Sequence, residues 1–130
     1  MKIKDINGAV RYKSRHNTMH ETIKAALAEG TSLQQCDLRR RDMSWWHLAD
    51  LDLSGCDLRW CKLPNDLKGV NLSHCRLPKD LSECDLLGAD LSHCDLRKCK
   101  LPQDLRGCNL SDAILPGEWI DQWSESQLEN

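Results

Sequence analysis

The feature that most constrains this chain is a large apolar residue that recurs at five-residue intervals from Leu33 to Leu115, with three intervals shortened to four. All eight cysteines share one place in this pattern, two residues before a leucine: Cys36, Cys56, Cys61, Cys75, Cys84, Cys94, Cys99 and Cys108. A period of five matches neither the period of a helix nor that of a strand. Repetition at a fixed period is typical of a solenoid. We therefore predict that each unit forms one short extended side followed by a corner.

A longer period of nineteen residues overlies the short one. It is visible in three blocks, Leu53–Asn71, Leu72–Asp90 and Leu91–Asn109, which open with LSGC, LSHC and LSHC. The preceding block, Leu33–Asp52, has twenty residues. Each block holds four units, so one block is predicted to be one turn of a four-sided coil. The shortened units contain a proline, in LPND, LPKD and LPQD, and proline fixes φ near −65° and suits a turn.

The units CDLRR, CDLRW, CDLLG, ADLSH, CDLRK and CNLSD resemble the A(D/N)LXX units of the pentapeptide-repeat family, and the resemblance spans Leu33 to Leu115. It implies an all-β solenoid, a right-handed quadrilateral parallel β-helix of about four coils. It also implies that the central leucine and the small residue two positions before it point inward. The chain departs from the family pattern through cysteine in place of most alanines, and through bulky Arg41, Trp46 and Leu51 in the first coil.

The two ends of the rod are predicted to be capped. Residues 1–32 form the N-terminal cap, in which Asn7-Gly8 predicts a hairpin turn and Thr18 with Glu21 predicts the start of a helix. This hairpin and helix resemble those of pentapeptide-repeat proteins encoded by phages and prophages. Residues 33–115 form the β-helix.

Residues 116–130 are predicted to form a C-terminal helical cap or dimerisation segment with a polar tail. Trp119, Ile120 and Trp123 lie at helical spacing. They cover the last coil of their own chain, or they join two chains, as in several family members that pair through their C-terminal ends. The sequence leaves both interpretations open.

Length and composition favour one soluble domain: 130 residues, 40% of them hydrophobic, with a formal net charge of −2. No run of about 18 apolar residues is present to cross a bilayer, and residues 1–13 are too polar for a signal peptide. We therefore expect a cytoplasmic protein without membrane contact. In that compartment the cysteines are expected to be small buried thiols rather than disulfides or metal ligands, although oxidation of stacked cysteines is left open.

The sequence contains no catalytic motif that we recognise: no glycine-rich phosphate loop, HExxH, GxSxG or paired CxxC. We therefore predict no enzyme activity, no cofactor and no metal site. His74 and His93 lie one coil apart at corner positions, and without a third ligand they are expected to form a solvated pair. The aspartates that precede the leucines are expected to accept hydrogen bonds from backbone N–H groups at the corners.

Aligning the coils separates the charges into two faces, although the net charge is small. The predicted basic face comprises Arg39, Arg40, Arg59, Arg76, Lys79, Arg97 and Lys98. The predicted acidic face comprises Asp50, Asp52, Asp66, Glu83, Asp85, Asp90 and Asp104. A rigid row of like charges creates a field that attracts a charged partner. Trp45 and Trp60 are predicted to point outward and to contact a protein or nucleic-acid bases.

The leading hypothesis is a non-catalytic, protein-binding rod, phage- or prophage-derived, that inhibits or modulates a bacterial nucleic-acid-handling protein. Its target would be an enzyme or a defence complex such as a CRISPR effector or nuclease. Some members of the resembled family mimic DNA and bind gyrase, which implies an alternative use of the acidic face. Direct DNA or RNA binding through the basic face is a third hypothesis and ranks lower. The target, the working face and the choice between monomer and homodimer are left open.

Overall fold

The computed structural model describes residues 1–120. Its chain begins with an antiparallel hairpin of β1 (Lys2–Lys4) and β2 (Val10–Lys13), in which Ile3 pairs with Tyr12. Gly8 has a φ of +87° in the connecting turn, a conformation that glycine adopts without steric cost. The hairpin predicted from Asn7-Gly8 is therefore present.

Helix α1 (Met19–Ala28) follows the hairpin and has a defined signal at each end. The Thr18 hydroxyl accepts a hydrogen bond from the Glu21 N–H at 3.2 Å, as the capping prediction requires. At the other end, Gly30 has a φ of +78°, and the Thr31 N–H donates to the Ala26 carbonyl at 2.9 Å. This is a Schellman motif. The buried face of α1 includes Ile23 and Ala26, which belong to the same core cluster as Ile3 of the hairpin.

The repeat region contains isolated parallel bridges instead of long strands. The bridges join residues nineteen or twenty positions apart and fall into four sets: Asp37 to Asp57 to Arg76 with Asp95 to Ile114; Asp42 to Lys62 with Asp80 to Lys100; Asp66 to Asp85; and Asp52 to Asn71 to Asp90 to Asn109. Parallel pairing therefore follows the predicted longer period. Because the extended part of each unit is so short, β1 and β2 are the strands assigned within residues 1–120. The number of coils, their handedness and the capping roles remain predictions at this point.

The corners of the repeat are hydrogen-bonded turns. A leucine carbonyl accepts the N–H of the residue three positions later, as in Cys61 to Leu58 at 3.1 Å and Val70 to Leu67 at 3.2 Å. The second residue between them has a positive φ, +63° at Trp60 and +69° at Gly69. These values are those of a type II turn, which favours glycine. Tryptophan in this conformation carries a steric cost that the turn and its neighbours must offset.

The aspartate or asparagine that precedes the large apolar residue of most units stabilises these turns. Twelve aspartate or asparagine side chains accept the backbone N–H two residues later, at 2.9–3.2 Å: Asp37, Asp42, Asp52, Asp57, Asp66, Asn71, Asp80, Asp85, Asp90, Asp95, Asp104 and Asn109. The predicted role of these aspartates is confirmed. The repeat therefore encodes its own corners.

Replacing Asp57 by alanine is expected to lower the free energy of unfolding by about 1–3 kcal/mol, because the change removes charge-assisted hydrogen bonds at a buried site. Asp57 is 7% exposed and also binds the Arg59 guanidinium at 2.6 and 2.9 Å. Asp57→Asn should lower the free energy of unfolding by less, because an asparagine can make the same turn hydrogen bond: Asn71 accepts the Ser73 N–H at 3.0 Å. Urea unfolding measures both variants. Equal losses would contradict a role for the turn hydrogen bond.

The interior of the repeat region is a column of leucine and cysteine side chains. Leu38, Leu58, Leu72 and Leu91 are at most 1% exposed, and all eight cysteines are buried free thiols. The prediction that both positions point inward is confirmed for these residues. The leucines of two shortened units, Leu63 and Leu77, are only half-buried.

Most thiols bond to the backbone of the preceding coil. Seven of them donate to a main-chain carbonyl, for example Cys56 to Leu33 at 2.9 Å and Cys108 to Leu86 at 2.8 Å. Their sulfurs therefore lie against polar backbone atoms. Burial raises the pKa of Cys56 to about 12, so this thiol is protonated at neutral pH.

The first coil is the irregular part of the interior. Trp46 is 6% exposed and inward, as predicted, and Leu51 packs partly buried against the core. Two buried nitrogen atoms, Nε of Arg41 and Nε1 of Trp46, have no hydrogen-bond partner within residues 1–120. The bulky residues thus fill the interior at the cost of two unsatisfied donors.

The C-terminal part of the repeat leads into the short helix α2 (Gly117–Ile120). Trp119 is half-buried and packs against the core cluster. Trp123, which was predicted to share this role, and the rest of the tail lie outside the described residues. No helix found in residues 1–120 is both long enough and apolar enough to span a membrane.

Candidate functional site

A groove of about 950 Å³ lies beside two of the shortened units, LPND and LPKD. Its walls come from three successive coils, within residues 59–65, 75–84 and 95–99, together with Ser44. Leu63, Leu77 and Pro78 supply its apolar part. These are residues of the LPND and LPKD units, whose leucines are half-buried, whereas Leu101 of the third shortened unit is 7% exposed. Two of the three shortened units therefore contribute to the groove.

The groove brings together most of the predicted basic face and one predicted aromatic contact. Its lining includes Arg59, Trp60, Arg76, Lys79, Arg97 and Lys98. The other two residues of the predicted basic face, Arg39 and Arg40, are exposed. They lie near the groove, since Arg39 is 3.8 Å from Asp57 and Arg40 contacts the Trp60 ring. The sequence located these cations on one side but did not reveal that they surround a depression.

Trp60 is the exposed aromatic residue of the groove. It is 57% exposed, as its corner position predicts. The guanidinium carbons of Arg40 and Arg59 each lie 5.0 Å from its ring centroid, which is within the range of a cation–π interaction. Asp57 in turn holds Arg59 through two hydrogen bonds. The indole is thus positioned before any partner arrives, which lowers the entropic cost of binding.

The charges in the groove are mixed, with an excess of cations. Six cationic side chains line it, Arg59, Lys62, Arg76, Lys79, Arg97 and Lys98, against three carboxylates, Asp80, Glu83 and Asp95. Arg97 bonds Asp95 at 2.6 Å, and the side-chain hydrogen bond from Arg97 lowers the pKa of Asp95 to about 2. Within the described chain, no ion pair occupies Lys62, Arg76, Lys79 or Lys98. These four cations are available to a partner.

The residues of the predicted acidic face fall on more than one side of the repeat, as the aligned coils predict. Asp52 and Asp90 belong to one bridge set, which also contains two asparagines, and Asp66 bridges to Asp85 in another. Asp50 is exposed at a corner, with a φ of +62°. Glu83 lines the groove among the basic residues.

Two cations also lie among these acidic residues. The Lys68 Nζ lies 3.5 Å from Asp85, and Arg106 bonds Asp104 at 2.8 Å. The prediction from the sequence placed neither cation on this side. Lys68 belongs to the unit NDLKG and Arg106 to the unit QDLRG, and each follows an aspartate of the acidic face by two residues. Opposite charges therefore reduce the field of the acidic face.

A second, smaller pocket of about 320 Å³ lies between α1 and the first coil. Ile23, Leu27 and Leu48 contribute apolar walls, and Lys24 is also part of its lining. Trp45 borders it, is 61% exposed as predicted, and contacts the His20 ring with a centroid distance of 4.1 Å. The sequence carried no signal for this contact, because it joins two segments that are remote in the chain.

The predicted histidine pair also forms. The rings of His74 and His93 stack at 4.3 Å with an interplanar angle of 7°, and the Asp112 carboxylate lies 3.7 Å from the His93 Nε2. Both imidazoles are exposed. Residues 1–120 contain no group of three or more side chains suited to hold a metal ion.

Comparisons with known proteins identify the repeat. A scan against protein-family models matches pentapeptide repeats in eight copies, over residues 29–65 and 66–103. Searches of curated proteins and of solved structures returned no match.

Proposed function

Since the chain belongs to the pentapeptide-repeat family, we propose that it is a protein-binding rod that holds a bacterial nucleic-acid-handling protein in the groove beside Trp60. Pentapeptide repeats form right-handed β-helices, and proteins of the family are generally structural or protein-binding rather than catalytic. In this proposal the four-sided coils and the two caps provide a rigid scaffold. The partner is inhibited or modulated when it binds.

The observation that carries the proposal is the clamped, exposed indole of Trp60 inside a groove of mixed charge. Tryptophan and arginine are the residues most enriched among interface hot spots. Asp80 and Glu83 also face the groove, and carboxylates repel a phosphate backbone. A protein segment that carries both acidic and basic side chains can pair with the lysines and with these carboxylates. The groove therefore favours a protein partner over a nucleic acid.

The finer identity of the partner rests on the resemblance of the hairpin and α1 to the caps of phage- and prophage-encoded proteins. We propose a phage- or prophage-derived protein that acts in the bacterial cytoplasm on a nucleic-acid-processing enzyme or a defence complex, such as a CRISPR effector or nuclease. Gyrase binding by DNA mimicry has weaker support, because Lys68 and Arg106 pair with two of the acidic residues that such mimicry would present. Direct nucleic-acid binding has the support of the four groove cations that form no ion pair within residues 1–120.

Affinity capture from bacterial lysate, with and without nuclease treatment, tests the proposal. We expect one stoichiometric protein that survives nuclease and is lost with Trp60→Ala, since truncating a hot-spot aromatic costs about 2 kcal/mol or more of binding free energy, roughly thirtyfold in Kd. Arg106→Ala is the matched control, because Arg106 is exposed on another side and lies outside the groove lining. Recovery of only a nuclease-sensitive mixture would instead establish direct nucleic-acid binding. Capture that Trp60→Ala leaves unchanged would reject the groove.

A further inference from the structure

We propose that the pocket beside Trp45 is an anchor site for one bulky apolar side chain of the same partner, whose adjoining acidic segment lies in the Trp60 groove. This inference rests on the proposed function and adds the chemistry of the partner: an extended segment with an aromatic or large aliphatic residue next to acidic residues.

The pocket has the size and lining of a single side-chain site. At about 320 Å³ it is at the lower end of the range for ligand pockets. The half-buried Leu27 and the exposed Trp45 ring offer an accessible apolar surface, and Ile23 and Leu48 lie behind it at 3% and 2% exposure. A partner's aromatic or aliphatic side chain would lose its water-exposed apolar area here, and that loss is the main source of binding energy at hot spots.

The pocket is held in shape by the elements around it. His20 lies against the Trp45 ring at 4.1 Å and lies 5.6 Å from the Trp46 ring. Trp46 itself is 6% exposed and fixed in the first coil. Because the helix and the coil already contact each other, binding need not order the pocket.

The linings of the two recesses include a pair of consecutive residues. Ser44 lines the groove, and Trp45 lines the pocket. The Cα atoms of these two residues are about 3.8 Å apart, and in the proposal one extended segment passes over both. Occupying both sites with one segment makes the second contact intramolecular and raises the overall affinity without new contacts.

The lysines around both recesses indicate that the partner segment next to the anchor is acidic. The pocket lining contains Lys24 but no carboxylate, and the adjoining groove offers Lys62, Lys79 and Lys98 without ion pairs in the described chain. Acidic residues flanking the anchor complement both regions. Asp80 and Glu83 in the adjoining groove repel a phosphate backbone, so a polypeptide fits this combined surface better.

Selection from a phage-displayed library of random twelve-residue peptides on the immobilised full chain tests the inference. We expect enriched peptides with a tryptophan, phenylalanine or leucine beside two or more acidic residues. Synthetic copies should lose about tenfold or more in affinity with either Trp45→Ala or Trp60→Ala, and Trp45→Phe should retain most of the binding. His74→Ala is the matched control, because His74 is an exposed ring outside both recesses.

The inference is overturned if no peptides are enriched over a Trp45→Ala/Trp60→Ala double variant, or if Trp45→Ala leaves their affinity unchanged. Its failure is distinguishable from failure of the proposed function. A captured protein that is lost with Trp60→Ala but kept with Trp45→Ala would leave the groove proposal standing and reject the anchor. Far-ultraviolet circular dichroism and urea midpoints show that each variant is folded before binding is compared.

Discussion

Replacing Leu72 by alanine is expected to lower the free energy of unfolding by about 2–5 kcal/mol, the range for large-to-small changes at fully buried leucines. Leu72 is 0% exposed, and its equivalents one coil away, Leu53 and Leu91, are also fully buried. Its N–H donates to the Asp90 carbonyl at 2.8 Å. Because hydrogen bonds between coils fix the backbone here, the walls of the new cavity cannot easily collapse. Urea unfolding monitored by circular dichroism gives the loss.

Leu87→Ala is the matched control for this prediction. The same leucine-to-alanine change is made here at a half-buried corner position, because Leu87 is not part of the core cluster. We expect it to cost less than about 1 kcal/mol, as do most surface changes. Similar losses for the two variants would mean that the interior does not pack as a dry column of leucines.

Raising the pH from about 9 to 11 is expected to reduce stability strongly, through the buried cysteines. Burial raises the pKa of Cys84, Cys94 and Cys108 to about 11 each, whereas the same thiols in the unfolded chain ionise near 9. Above pH 9 the unfolded state therefore binds fewer protons than the folded state, so stability is intact below pH 9 and falls until the folded thiols ionise. Each such thiol contributes a slope of up to about 1.4 kcal/mol per pH unit. Urea midpoints at pH 7, 9, 10 and 11 measure this dependence.

Cys75→Ala separates the cysteine contribution from other alkaline effects. Burial raises the pKa of Cys75 as well, and alanine fits this place in the unit, since Ala89 occupies it elsewhere at 1% exposure. The variant should lose less stability than the parent between pH 9 and 11. An unchanged dependence would indicate that lysine or tyrosine titration dominates the effect. Rapid modification of all eight thiols in the native protein at pH 8 would also contradict their burial.

The direction of most side chains in the repeat was predictable from the sequence, although Leu63 and Leu77 are only half-buried. The inward leucines and cysteines, the turn-forming aspartates and the outward Trp45 and Trp60 all depend on position within a five-residue unit. That position is a local property, because each unit contains its own turn and the hydrogen bonds that close it. The matched residues 29–103 support the same assignment through the family.

The grouping of charges was predictable only in part. Arg59, Arg76 and Lys98 do lie around one surface, as the aligned coils suggested. The ion pairs within single units were not predicted. Arg97 pairs with Asp95, and Arg106 pairs with Asp104. The DLR triplets contain this signal, since arginine two residues after the aspartate can reach back to its carboxylate.

The sequence by itself determined the repeat, the inward and outward positions and the absence of a recognisable catalytic motif, because these follow from short-range order along the chain. The tertiary structure alone decided where the recesses are. The Trp60 groove needs shortened units to meet in neighbouring coils, and the Trp45 pocket needs α1 to lie against the first coil. Both depend on how segments about twenty residues apart stack laterally, and no five-residue pattern specifies that packing.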